Sequence, residues 1–127
     1  GPVTSTLLRP QWRTVFLECE RTRKEPGCHY VLLPCLAAEA TVAQLELDHA
    51  ADAQVFVDGR EVLRIERFRG SAGRRHYAGL ELPLGRHDVL VKLTHAGYSR
   101  FAVRWLTPDG WPHPAISWLD PAAELPK

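Results

Sequence analysis

Between residues 64 and 76 the chain carries Arg64, Arg67, Arg69, Arg74 and Arg75, followed by His76, around a Gly70-Ser71-Ala72-Gly73 core. Forked guanidiniums on a glycine-rich segment can wrap carboxylate, phosphate or sulfate groups. This segment is therefore the first candidate contact surface. The plainer reading is a long hairpin loop kept soluble by its arginines, with Glu61 and Glu66 compensating part of the charge. Aromatic residues form a second reserve. Trp105 alternates with Val103 and Phe101 and belongs to a core, whereas Trp111 sits between Gly110 and Pro112 in a loop, open to stack on a sugar face or a partner. Asp52 and Asp58, with Asp48, are candidate oxygen ligands for a hard cation. Calcium needs six to eight oxygens, however, and no run of alternating acids supplies them. Asp58 precedes Gly59, so its carboxylate also has a turn to hold.

The nucleophiles offer less. Cys28 and His29 are adjacent, and adjacent residues of a strand point to opposite faces, so they make no thiolate–imidazole pair. Ser71 and Ser99 lack the strand–turn–helix setting of an activated serine. Glu18 and Glu20 share a strand face among Cys19, Arg21 and Arg23, which reads as a solvated edge. No glycine-rich phosphate loop opens a helix. A noncatalytic protein is expected.

The elements that must position these residues read as strands. Val55 and Val57 alternate with polar positions, Asp58-Gly59 makes a turn, and Val62, Leu63 and Ile65 follow, a strong hairpin signal. Leu80, Leu82 and Leu84 share a face up to Pro83-Leu84-Gly85. Val89, Val91 and Leu93 line the next strand, and Phe101, Val103 and Trp105 the one after. Residues 12–19, 29–36 and 41–48 also read as strands, although Ala and Glu over 36–44 would suit a helical turn. From Pro108 onward prolines suppress regular structure except at 116–119, and Trp118 and Leu119, with Trp111 unless its loop exposes it, are expected to pack back across the sandwich. The pattern predicts an all-β fold: one antiparallel sandwich of jelly-roll type, about eight strands in a meander, with at most one short helix. Its expected core is Val55, Val57, Leu63, Leu82, Val89, Val91, Phe101, Val103 and Trp105.

Composition bounds the rest. The 127 residues allow one domain, expected to span 1–127 and to be excised from a larger protein, with Gly1-Pro2 reading as a protease scar. Sixteen basic against fifteen acidic residues leave a net charge of +1, which excludes a surface that is basic throughout. With no RNP-like, zinc-finger or helix-turn-helix pattern, nucleic acid is not the expected partner. No apolar run is long enough for a membrane span. The arginine, alanine and leucine bias suggests a GC-rich bacterial genome. Three cysteines, Cys19, Cys28 and Cys35, without a CxxC spacing argue against structural zinc and favour free thiols. They fit a secreted, envelope or cytoplasmic location equally.

The segments 51–62 (ADAQVFVDGREV), 80–89 (LELPLGRHDV) and 101–105 (FAVRW) carry a resemblance. Over residues 51–119 the chain resembles the PA14 and galactose-binding-like jelly rolls. That resemblance implies a noncatalytic binding module, often for carbohydrate and in some members assisted by calcium held on two adjacent aspartates. Here the matching stretch is Asp48-His49-Ala50-Ala51-Asp52, where the acids are not adjacent. The expectation is accordingly an interaction module without a cofactor, docking a protein partner or a neighbouring domain through Arg64, Arg67, Arg69, Arg74, Arg75, His76 and Trp111. Carbohydrate binding is the alternative, favoured by an exposed Trp111 beside a concave acidic loop.

Overall fold

The structure is a computed structural model that describes residues 12–18, 27–49, 51–66 and 74–119. Among them nine strands form: β1 Arg13–Glu18, β2 Gly27–Ala37, β3 Thr41–His49, β4 Asp52–Val57, β5 Arg60–Ile65, β6 Arg74–Leu82, β7 Gly85–His95, β8 Tyr98–Leu106 and β9 Ile116–Trp118. The described residues contain no helix. Ala38, Glu39 and Ala40 are a short connection, because the ladders of β2 and β3 claim the residues on either side of it.

Two antiparallel sheets result, in the orders β1-β8-β3-β6 and β5-β4-β7-β2-β9. β1 pairs with β8, β2 with β7, β3 with β6 and β4 with β5. The chain is thus one long hairpin of nested strand pairs, curled so that alternate pairs fall in opposite sheets. That is a jelly roll. The expected meander does not form, since among the described residues β4 and β5 are the only consecutive strands that are also sheet neighbours. Nor do β5 and β6 make the expected hairpin: β5 is an edge strand of one sheet and β6 an edge strand of the other. Local alternation and turn residues cannot distinguish a connection within a sheet from one between sheets.

The β4–β5 hairpin turns at Asp58-Gly59, both with positive φ (51° and 84°). Inward residues of both sheets form the core: Val55, Val57, Leu82, Val89, Val91, Phe101, Val103 and Trp105 are all buried. Leu63 is only half-buried, being on an edge strand whose register shifts at Val55/Phe56. The last described segment crosses back over the sandwich end. Ala38 N–H donates to the Ala115 carbonyl (2.8 Å), Leu119 N–H donates to the Pro34 carbonyl (2.9 Å), and Trp118 packs 6.2 Å from Trp105. What alternation did not announce is the amount of interior histidine: His49, His87, His95 and His113 are all buried.

Candidate functional site

Strand alternation fixes what the five-stranded sheet shows to solvent. Opposite the buried Leu33, Val91 and Val55, in-register rows cross β2, β7 and β4. Cys28, Thr94 and Asp52 form one row, Tyr30, Lys92 and Gln54 the next, and Leu32, Leu90 and Phe56 a third. Tyr30 is 62% exposed, and the Lys92 ammonium lies 5.7 Å from its ring centroid, within cation–π range. Beside them a cleft of about 330 Å³ is lined by Asp52, Gln54, Glu66, Lys92 and Thr94, with Ala53 and Ile65 at its floor. Gln54 Nε2 donates to Glu61 (3.1 Å), which orients the amide. Hydroxyl, amide, ammonium and carboxylate groups thus converge next to an open aromatic ring.

The arginine segment is used differently. Arg64 donates to Glu61 (2.8 Å) and to Glu66 (3.0 Å), and the pairing raises its pKa and lowers that of Glu61. The compensation expected from Glu61 and Glu66 is therefore formed. Arg75 reaches Glu46 and Asp48, each at 3.6 Å. His76 turns inward to His49 (2.9 Å). Arg67 and Arg69 lie outside the described residues, as does the side chain of Arg74.

Trp111 is 71% exposed, so it does not pack back across the sandwich with Trp118. Its loop is braced by Thr107 N–H to the Trp111 carbonyl (2.7 Å), Trp111 N–H to Thr107 Oγ1 (3.1 Å) and Gly110 N–H to the Thr107 carbonyl (2.9 Å). It stands at the opposite end of the sandwich from the Asp52 cleft. Asp52 and Asp58 flank β4 at its two ends, about 20 Å apart at the rise of a strand, too far to share a cation. Asp58 instead organises its turn. Its carboxylate accepts from Asp88 N–H (2.9 Å) and from His87 Nδ1 (2.6 Å), and His87 Nε2 meets the Pro83 carbonyl (2.7 Å). With an acceptor at each ring nitrogen, His87 is placed to hold two protons. Burial opposes the charge, but these partners outweigh it and raise the pKa. Among the described residues no group of three or more His, Cys, Asp or Glu side chains is arranged for a metal.

The cysteines separate as strand parity requires. Cys28 is exposed, with Sγ 3.5 Å from Thr94 Oγ1, and Cys35 is buried on the other face; both are free. Burial pushes the Cys35 thiol up to about 12, so it is inert. Cys19 lies outside the described residues.

On the outer face of the four-stranded sheet the structure reveals a cluster that sequence reasoning missed. Glu46 is fully buried although it lies on the outward side of β3. Arg104 donates to one carboxylate oxygen, and Tyr77 donates to the other at 2.9 Å, which raises the phenol's pKa. Trp12 covers them, with Arg104 4.4 Å and Arg75 5.7 Å from its ring centroid. Glu46, Tyr77, Arg104 and Trp12 come from four separate chain segments, so no local spacing signals them.

Comparisons with known protein families and with curated proteins give no match. The fold is similar to part of a solved structure, the β-glucosidase from Kluyveromyces marxianus in complex with glucose. The TM-score is 0.51 and the identity 17%, over 63% of this chain and 11% of that one. At that identity the likeness shows a shared β-rich fold, and the chain spans about a tenth of the length of the enzyme it matches.

Proposed function

We propose that the chain is a noncatalytic, PA14-like binding module that takes neutral carbohydrate on the outer face of its five-stranded sheet. The observation that carries this reading is the open Tyr30 ring in register with Lys92 and Gln54, beside the polar cleft at Asp52 and Thr94. A sugar ring has an apolar C–H face and a rim of hydroxyls; Tyr30 suits the first, and the cleft's donors and acceptors suit the second. A volume of about 330 Å³ is at the small end of ligand sites and fits one or two sugar rings. Asp52 and Glu66 in the lining disfavour an anionic sugar. The fold's occurrence as 11% of a β-glucosidase chain supports an accessory unit beside other domains. Intramolecular pairing of Arg64 and Arg75 weakens the arginine-led docking reading.

Calorimetric titration with glucose, cellobiose and a panel of neutral oligosaccharides, with and without a chelator, tests the proposal. Binding should survive the chelator, and Tyr30→Ala or Gln54→Ala should weaken it at least tenfold with the fold unchanged. No binding by the native chain, or equal binding by both variants, would refute it. A second reading is favoured by the Leu32, Leu90 and Phe56 row, which forms an apolar strip bordered by charged groups, as in a protein interface. The occupant would be a neighbouring domain of a longer parent chain. Leu90→Asp should then release that domain in the parent protein while leaving sugar binding unaltered.

A further inference from the structure

Four of the six histidines pair at one end of the sandwich. His49 Nε2 lies 2.9 Å from His76 Nδ1, and His95 Nε2 lies 3.0 Å from His29 Nδ1. In both pairs the ring centroids are 4.9 Å apart. The arrangement is the same twice over. A buried ring at the last residue of an interior strand, β3 or β7, reaches diagonally to a ring near the start of its hydrogen-bonded neighbour, β6 or β2. Only Ala96-Gly97 separates β7 from β8, and Phe101 of β8 pairs with His49, so both pairs sit at the same end.

An N–H···N contact needs one hydrogen and one lone pair. His49 Nδ1 faces the Ala51 carbonyl at 2.6 Å and therefore carries a hydrogen. Its Nε2 is then the acceptor, and His76 Nδ1–H donates. A first added proton can sit on the far nitrogen of His76 without disturbing this bond. A second, on His49 Nε2, sets two N–H groups and two charges face to face. The facing nitrogens of His29 and His95 meet the same limit.

We propose that the two imidazole pairs are a proton-operated clasp, which holds this end of the sandwich shut at neutral pH and releases it in acid. Burial and the neighbouring ring both oppose the extra charge on each inner histidine. On His49 bear His76 of β6, Asp48 on its own strand and Asp52 of β4, with Arg74 of β6 opposite in register and Phe101 of β8 apolar. On His95 bear His29 of β2 and the backbone of Gly97, with Leu93 preceding it on the inner face; His95 Nδ1 is buried without a hydrogen bond of good geometry. Burial lowers the pKa of both inner rings; the Ala51 carbonyl and then the carboxylates near His49, and the Gly97 backbone near His95, only partly offset it. A histidine lowered in the folded state contributes stability above its unfolded value of about 6.5 and loses it as pH falls. His87, at the other end, is raised and gains in acid, so release is confined to one end.

Hydrogen exchange followed by mass spectrometry at pH 7.5 and 5.0, corrected for intrinsic rates, tests the clasp. Protection at 27–30, 47–49, 74–77 and 93–97 should fall at least tenfold more than at 57–60 and 83–88. The double variant His29→Asn, His76→Asn keeps an amide that can donate to, or accept from, the buried ring and holds no charge. Its acid-induced loss should be at most a third of the native one. Equal loss at both ends, equal loss in the variant, or no loss at pH 5.0 would each overturn the proposal. So would a rise in melting temperature with equimolar zinc that disappears in the variant, which would make the pairs metal ligands instead.

Discussion

Replacing Asp58 by Asn isolates the charge at the β4–β5 turn. Asn keeps an acceptor for Asp88 N–H and tolerates the positive φ of 51°. What it removes is the carboxylate 2.6 Å from His87 Nδ1. A hydrogen bond to a charged group contributes about 1.5–3 kcal/mol. His87 is almost fully buried, but the Asp58 side chain is 48% exposed, so solvent screening brings the expected loss to about 1 kcal/mol. The sign with pH follows from the raised His87 pKa. A group raised in the folded state contributes fully below its unfolded value, about 6.5, and loses that contribution as pH rises through the folded one. Urea unfolding at pH 5.5 and 8.5 should therefore show Asp58→Asn costing about 1 kcal/mol at the lower pH and under about 0.5 at the higher. Asp58→Ala should lose about 1 kcal/mol more at both, because the Asp88 contact goes as well. A cost for Asp58→Asn that does not change with pH would refute the imidazolium.

Phe101→Ala should cost about 3–5 kcal/mol in the same assay, and Lys92→Ala, on the solvent side of the sheet, within about 0.5. Glu46→Ala leaves Arg104 and Arg75 without their buried partner and should cost about 3 kcal/mol, while Tyr77→Phe should cost about 1, both read from denaturant midpoints. Trp111→Ala should leave the melting temperature within about 2 °C, since the ring is exposed. Adding calcium should not raise the melting temperature, because Asp52 and Asp58 stand at opposite ends of β4; a rise lost in Asp52→Ala would contradict the geometry.

Period-two alternation and turn residues alone determined the class of fold and most of its core. Val55, Val57, Val89, Val91, Phe101 and Val103 face inward because a pleated strand sends alternate side chains to opposite sides. The Asp58-Gly59 turn was legible because few residue types accept positive φ. Pairing between sheets was not legible: alternation is the same whether a strand's neighbour is consecutive or far along the chain. Tertiary structure decided that Arg75 faces Glu46 and Asp48 and that Tyr30, Lys92 and Gln54 share a row. It also buried Glu46 beneath Trp12, Arg104 and Tyr77, and joined His49 to His76 and His29 to His95. Each of these depends on register between strands distant in sequence, and a register is set by how whole faces pack, which no local spacing encodes.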